Sequence, residues 1–81
     1  MSEKVTIYTI KQSEYCIEAL NWLDKHEVKY HEISLDESDD AKEELVELAG
    51  QLSVPALVIR KNSGDQVIIG FESVEYQANL L

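Results

Sequence analysis

The stretch Val5-Thr6-Ile7-Tyr8-Thr9-Ile10-Lys11-Gln12-Ser13-Glu14-Tyr15-Cys16 decides the fold. Its first six residues are β-branched or aromatic and contain no breaker, which reads as a buried or half-buried strand. Lys11 and Gln12 turn a polar corner. Beyond it, Cys16, Ala19, Leu20 and Leu23 recur at i, i+3, i+4 and i+7, with Glu18, Asn21 and Lys25 elsewhere around the wheel. This spacing predicts an amphipathic helix starting near Ser13. Val28 to Leu35 follows as a second strand, and strand, helix, strand in succession predicts a parallel pair joined by a right-handed crossover.

Working outward, Ala41, Leu45, Leu48, Ala49 and Leu52 fall on one helical face after Ser38, while Asp39, Asp40, Glu43 and Glu44 crowd the first turns. Acids there favour the positive end of a helix dipole, so a second helix is expected and its charge run is a solvated face. Pro55 introduces Ala-Leu-Val-Ile, and Lys61 to Asp65 supplies turn residues before Val67-Ile68-Ile69, which together predict an antiparallel hairpin. Past Gly70, Val74, Ala78 and Leu81 recur at helical spacing, with Ser73 available as a cap, so a short helix closes the chain. The order βαβαββα is of the α/β class: a four-stranded mixed sheet flanked by helices, in one domain over residues 1–81 without repeat or linker. That order resembles the thioredoxin-like fold.

The chain has 81 residues, of which 16 are acidic and 7 are Lys or Arg, for a net charge of −9. Such a charge repels phosphate backbones and anionic lipid, so neither nucleic acid nor a membrane surface is an expected partner. Met1 to Lys4 is polar, and no apolar stretch approaches the length of a membrane span. The one cysteine, Cys16, cannot close an internal disulfide, whereas a secreted domain this small usually carries several paired cysteines. A cytoplasmic location is expected. One cysteine and two scattered histidines, His26 and His31, lack metal-ligand spacing, so no metal is expected and both histidines read as surface residues. Trp22 and Leu23 read as packing residues.

Three segments, in the right order, resemble the glutaredoxin family. Thr9 to Cys16 resembles its active-site segment, where the usual pattern is Cys-Pro-Tyr-Cys; aligning on Tyr15 and Cys16 puts Ser13 at the nucleophilic cysteine and Glu14 where proline is common. Ser53-Val54-Pro55 resembles the Thr-Val-Pro loop whose proline is cis, and Ile69-Gly70-Phe71-Glu72 resembles the glycine-containing turn before the last helix. The resemblance implies a thiol–disulfide oxidoreductase acting on disulfides or glutathione mixed disulfides, with glutathione as co-substrate and no bound cofactor. Ser13 and Cys16 stand at its catalytic positions. Glutathionylated or disulfide-containing proteins are the implied partners.

The geometry suits the chemistry. Unpaired N–H groups and a partial positive charge at a helix N-terminus lower the pKa of a thiol placed there, giving a ready thiolate. Its attack on a disulfide leaves a mixed disulfide, which a second cysteine one helical turn on can resolve. Serine forms no disulfide, and its hydroxyl is almost wholly protonated at neutral pH, so the chain as written is expected to be nearly inactive. Two readings of Ser13 stand. Either serine replaces a native cysteine or selenocysteine, or it is native and the domain has become a redox-inactive module that binds glutathione or a partner protein. A plain helix cap fits both, since serine is among the best N-caps. Cys16, outside the motif, would read as a small buried hydrophobe.

For glutathione, the resemblance implies that Val54 pairs in strand fashion with the cysteinyl part of the tripeptide, beside Pro55. Gly70, Phe71 and Glu72 would receive the γ-glutamyl end, where exposed N–H groups can meet a carboxylate. Read without the family, the same turn is an ordinary strand-to-helix connection with Phe71 in the core. Tyr15 would line the rim. Many relatives have lysine directly after the threonine of the first strand; here Ile10 holds that place and Lys11 follows, where the resemblance still implies reach to a carboxylate. Ile69 replaces the first glycine of the usual pair, and Gly70-Phe71 is similar to redoxins that take electrons from thioredoxin reductase, so the electron donor stays open between that enzyme and glutathione. No exposed apolar face stands out, and a monomer is expected.

Overall fold

The β-branched run that opens the chain extends as β1 (Lys4–Thr9) at the centre of the computed structural model, which describes residues 4–81. The polar start expected over Met1 to Lys4 lies, apart from Lys4, outside the described residues. Ser13 then adopts an extended backbone, φ −103° and ψ 121°, and caps α1 (Glu14–Lys25). That helix ends abruptly. Glu27 takes a left-handed φ of 56°, and the Val28 N–H donates to the Leu23 carbonyl at 3.0 Å. This exit uses up Val28 to Tyr30, so the second strand, β2 (His31–Ser34), is shorter than the expected Val28 to Leu35. Leu35 falls instead in a single 3-10 turn, Leu35–Glu37, which begins with Ser34 Oγ accepting the Asp36 N–H.

Ser38 Oγ accepts the Ala41 N–H at 3.1 Å and so starts α2 (Asp39–Ala49), whose first residues are the acids expected there. Gly50 stops it in the left-handed conformation, φ 76°, that glycine adopts most cheaply at a helix end. Leu52, expected on the face of this helix, therefore lies beyond it and is exposed. The hairpin is longer than its apolar runs suggested: β3 (Ala56–Lys61) and β4 (Gly64–Ile69) stay in register from Ala56↔Ile69 to Lys61↔Gly64. Polar residues at its tip continue the ladder without needing burial.

The sheet order is β2-β1-β3-β4, with β1 parallel to β2 and antiparallel to β3. Alternation along the strands gives each face its own core. On one face, Ile7, Leu57, Ile59 and Ile68 pack with Ala19 and Leu23 of α1 and with Tyr76 of α3 (Ser73–Leu80). On the other, Tyr8, Ala56 and Val58 pack with Leu35 and with Ala41 and Leu45 of α2. Each fully buried Leu or Ile contributes on the order of 2 kcal/mol of apolar transfer. Trp22 packs against the first of these cores, as expected.

The closing helix turns a different face inward from the one its leucine and valine spacing predicted. Val74 and Leu81 are 72% and 65% exposed, Ala78 is exposed, and Tyr76 is fully buried with Leu80 packed beside it. Its N-cap is Glu72, with no side-chain cap bond, and Ser73 is the first helical residue rather than the cap. Eight residues carry too few apolar positions for spacing to fix a face; the aromatic ring decides it, because it buries the most area.

Candidate active site

Register brings the loops of interest to one end of the sheet. Tyr8 pairs with Ala56 and Ala56 with Ile69, so the exit of β1, the approach to β3 and the exit of β4 lie side by side. Four residues separate the end of β1 from α1, and three, Gly70, Phe71 and Glu72, separate the end of β4 from α3.

At the start of α1, Ser13 Oγ accepts the Cys16 N–H at 3.3 Å and Ser13 carbonyl accepts the Ile17 N–H at 3.1 Å. Position 13 thus sits where free N–H groups of the first turn converge, with its side chain aimed at one of them. Cys16 is buried beneath it, 1% exposed, as a free thiol. Tyr15 projects outward and is 64% exposed. Glu14, the acid of the first turn, is also exposed.

The Val54–Pro55 peptide is cis. The Pro55 carbonyl accepts the Gly70 N–H at 2.7 Å, which fastens the two loops to each other. Gly70 has φ 87°, a conformation costly for a residue with a Cβ, and this reversal directs the chain away from β4. Phe71 is half-buried and meets Tyr76 edge-to-face at 5.0 Å, while Glu72 stays exposed at the N-cap of α3. Phe71 thus packs partly against the first core and stays partly exposed in this turn.

Lys11 meets the Leu35–Glu37 turn. Its backbone N–H donates to Asp36 Oδ2 at 2.7 Å and its Nζ lies 3.7 Å from Glu37 Oε1, on an exposed corner. An exposed pair of this kind holds its lysine only weakly. His26 stacks on Trp22 at 4.0 Å, and His31 lies exposed on β2. Among the described residues, no group of three His, Cys, Asp or Glu side chains could hold a metal ion.

Two participants were not singled out in the sequence. Tyr76 donates its hydroxyl to the Gly70 carbonyl at 3.0 Å, so it clamps from below the same turn that Pro55 holds from the side. Burial pushes its phenol well above the ordinary range, and electrostatic interaction with Cys16 and then with Glu75 acts in the same direction. Tyr76 lies six residues beyond Gly70, a separation that leaves no local pattern to read. Asp36 is the second; its contact with Lys11 spans 25 positions and leaves no local pattern.

Solved structures share this architecture. Glutaredoxin from Archaeoglobus fulgidus superposes with a TM-score of 0.81 at 21% identity, over 93% of this chain and 83% of its own. Glutaredoxin from Methanosarcina mazei Go1 gives 0.80 at 23% identity, over 95% and 77%. A thioredoxin-like protein is covered along its whole length by 96% of this chain, with a TM-score of 0.79 and 27% identity. No curated protein sequence matches the chain. The fold and its neighbours define a protein of the thioredoxin-like fold. Within that class, the glutaredoxin family profile matches residues 5–63, nearly three quarters of the chain, and the protein belongs to the glutaredoxin family.

Proposed function

We propose that the protein is a glutaredoxin-type thiol–disulfide oxidoreductase whose attacking position, 13, holds serine. The observation that carries this proposal is the contact of Ser13 Oγ with the Cys16 N–H at the start of α1. A sulfur in place of that oxygen would meet the same donor, and the thiolate is the form that such donors and the helix dipole stabilise. In the cysteine or selenocysteine form, the chalcogen anion at position 13 attacks one sulfur of a disulfide; the S–S bond breaks and the departing thiolate takes up a proton. The Cys16 thiolate then attacks position 13, closing a bond within the protein and releasing the second substrate sulfur as a thiol. Two electrons have passed to the substrate. Glutathione returns them, or thioredoxin reductase in the alternative, with Val54, Pro55, Gly70, Phe71, Glu72, Tyr15 and Lys11 framing the incoming molecule. We place this chemistry in the reducing cytosol.

A second reading is favoured by the same contact. Ser13 already satisfies an N–H of the first turn, as a dedicated helix cap does, which suits a redox-inactive module that binds glutathione or a partner protein. Reduction of hydroxyethyl disulfide, coupled to glutathione, separates the two. The chain as it stands is expected to be close to inactive and Ser13→Cys strongly active; a folded but inactive Ser13→Cys would favour the binding module or a different reductant.

A further inference from the structure

At the end of the sheet away from Ser13, an open cleft of about 550 Å³ lies on the face that carries α2. The helix covers Tyr8, Ala56 and Val58 and leaves the next residues outward open. Register explains what is gathered there. Lys4 stands directly opposite Arg60, two residues before Thr6 on β1, and Thr6 stands opposite His31 on β2. Lys29 precedes His31 by two, and all four basic side chains line the cleft. Three of the chain's seven Lys and Arg residues therefore meet in one place on a protein of net charge −9.

Like charges placed directly opposite across a strand pair destabilise it, so Lys4 and Arg60 carry a cost that an anion between them would relieve. Neither they nor Lys29 and His31 form an ion pair among the described residues, whose only two salt bridges involve Lys11 and Lys42. Two carboxylates approach. Glu44 lines the cleft but accepts the Tyr8 hydroxyl at 2.9 Å, and Asp65 stands opposite Arg60 on β4. They leave the basic side chains in excess. The volume is that of a small-molecule site, and the floor of Tyr8, Thr6 and Ile33 is mixed apolar and hydroxyl-bearing.

We infer that this cleft, bounded by Lys4, Lys29, His31 and Arg60, binds a small multivalent anion carrying two or more phosphate or carboxylate groups. A single charge would satisfy one side of it; groups spread over a few ångströms reach strands β1 and β3 and the approach to β2 together. The site is independent of any chemistry at position 13.

The test is a titration of the isotope-labelled full chain with inorganic pyrophosphate at fixed ionic strength, followed by amide resonances, with citrate as a parallel arm. Saturable shifts are expected at Lys4, Thr6, Lys29, His31 and Arg60 and not at Ser13 to Cys16. Saturation by both anions assigns the site to charge, and by pyrophosphate alone to phosphoryl groups; either supports the inference. Arg60→Gln and Lys29→Gln are each expected to weaken binding roughly fivefold, the scale of one partly screened charge contact. Lys61→Gln, on the opposite face of β3, is expected to leave it unchanged. Failure of both anions to saturate at millimolar concentration, shifts scattered over the surface, or equal weakening by Lys61→Gln would overturn the inference.

Discussion

Ser13 Oγ accepts the backbone N–H of Cys16 at 3.3 Å, so the two positions that face each other in the glutaredoxin motif are tied by the first turn of α1. The contact does two things at once. It caps the helix, and it puts the side chain at position 13 at the positive end of the helix dipole, above a buried thiol.

The cap has a stability consequence. Ser13→Ala leaves one N–H of the first turn without its partner and is expected to destabilise the fold by about 1 kcal/mol, read as a lower urea midpoint at unchanged slope. Ser13→Asp keeps an acceptor there and adds a favourable charge, so its midpoint is expected to stay close to that of the parent chain. An unchanged midpoint in Ser13→Ala would mean that water replaces the cap without loss.

Tyr76 acts on the candidate site from the core. Tyr76→Phe removes only the hydroxyl that donates to the Gly70 carbonyl and is expected to cost about 1 kcal/mol, with faster exchange of the Gly70 amide that Pro55 holds. Tyr76→Ala also empties a fully buried position and is expected to cost roughly 3–5 kcal/mol, enough to compromise a domain this small. Equal effects of the two substitutions on stability would show that the hydroxyl, and not the ring, carries the contribution.

Alkaline pH should weaken the protein through Tyr8. Burial raises this phenol from its ordinary 10.0 to about 12, helped by its hydrogen bond to Glu44 and that carboxylate's charge and opposed by Arg60. A raised value in the folded state means that folding holds the proton more tightly. The contribution is complete below about pH 10, where the unfolded phenol is still neutral, and is lost as pH climbs through 12. Tyr30 and Tyr76 are displaced in the same direction, mainly by burial, and add to the effect. Urea midpoints between pH 9 and 12 are expected to fall, and to fall less steeply in Tyr8→Phe; identical profiles would assign the loss elsewhere.

Much of this architecture was legible because strong local signals agreed with the global fold. The β-branched run at Val5, the serines at 13 and 38, and the glycine at 70 each mark a boundary that the structure keeps within a residue or two. Where burial and pattern part, the reading failed. Val28 is apolar yet belongs to the exit from α1, and Val74 and Leu81 are apolar yet face outward because Tyr76 takes the core position. The order of the site segments was readable along the chain. The clamp between Tyr76, Gly70 and Pro55, and the salt bridge that holds Lys11 at Glu37, are products of tertiary contact and have no local signature.

The acidity of a thiol placed at position 13 tests the central claim most directly. In Ser13→Cys combined with Cys16→Ser, one thiol remains, and its ionisation can be followed by thiolate absorbance across pH while urea midpoints confirm the fold. A site built for attack predicts a value well below the ordinary 8.5 of free cysteine, in the range of about 3.5–7.5 seen for thiols at helix N-termini. A value at or above 8.5 in a folded protein would contradict the account, because a helix start that does not stabilise a thiolate offers the chemistry nothing beyond an ordinary cap.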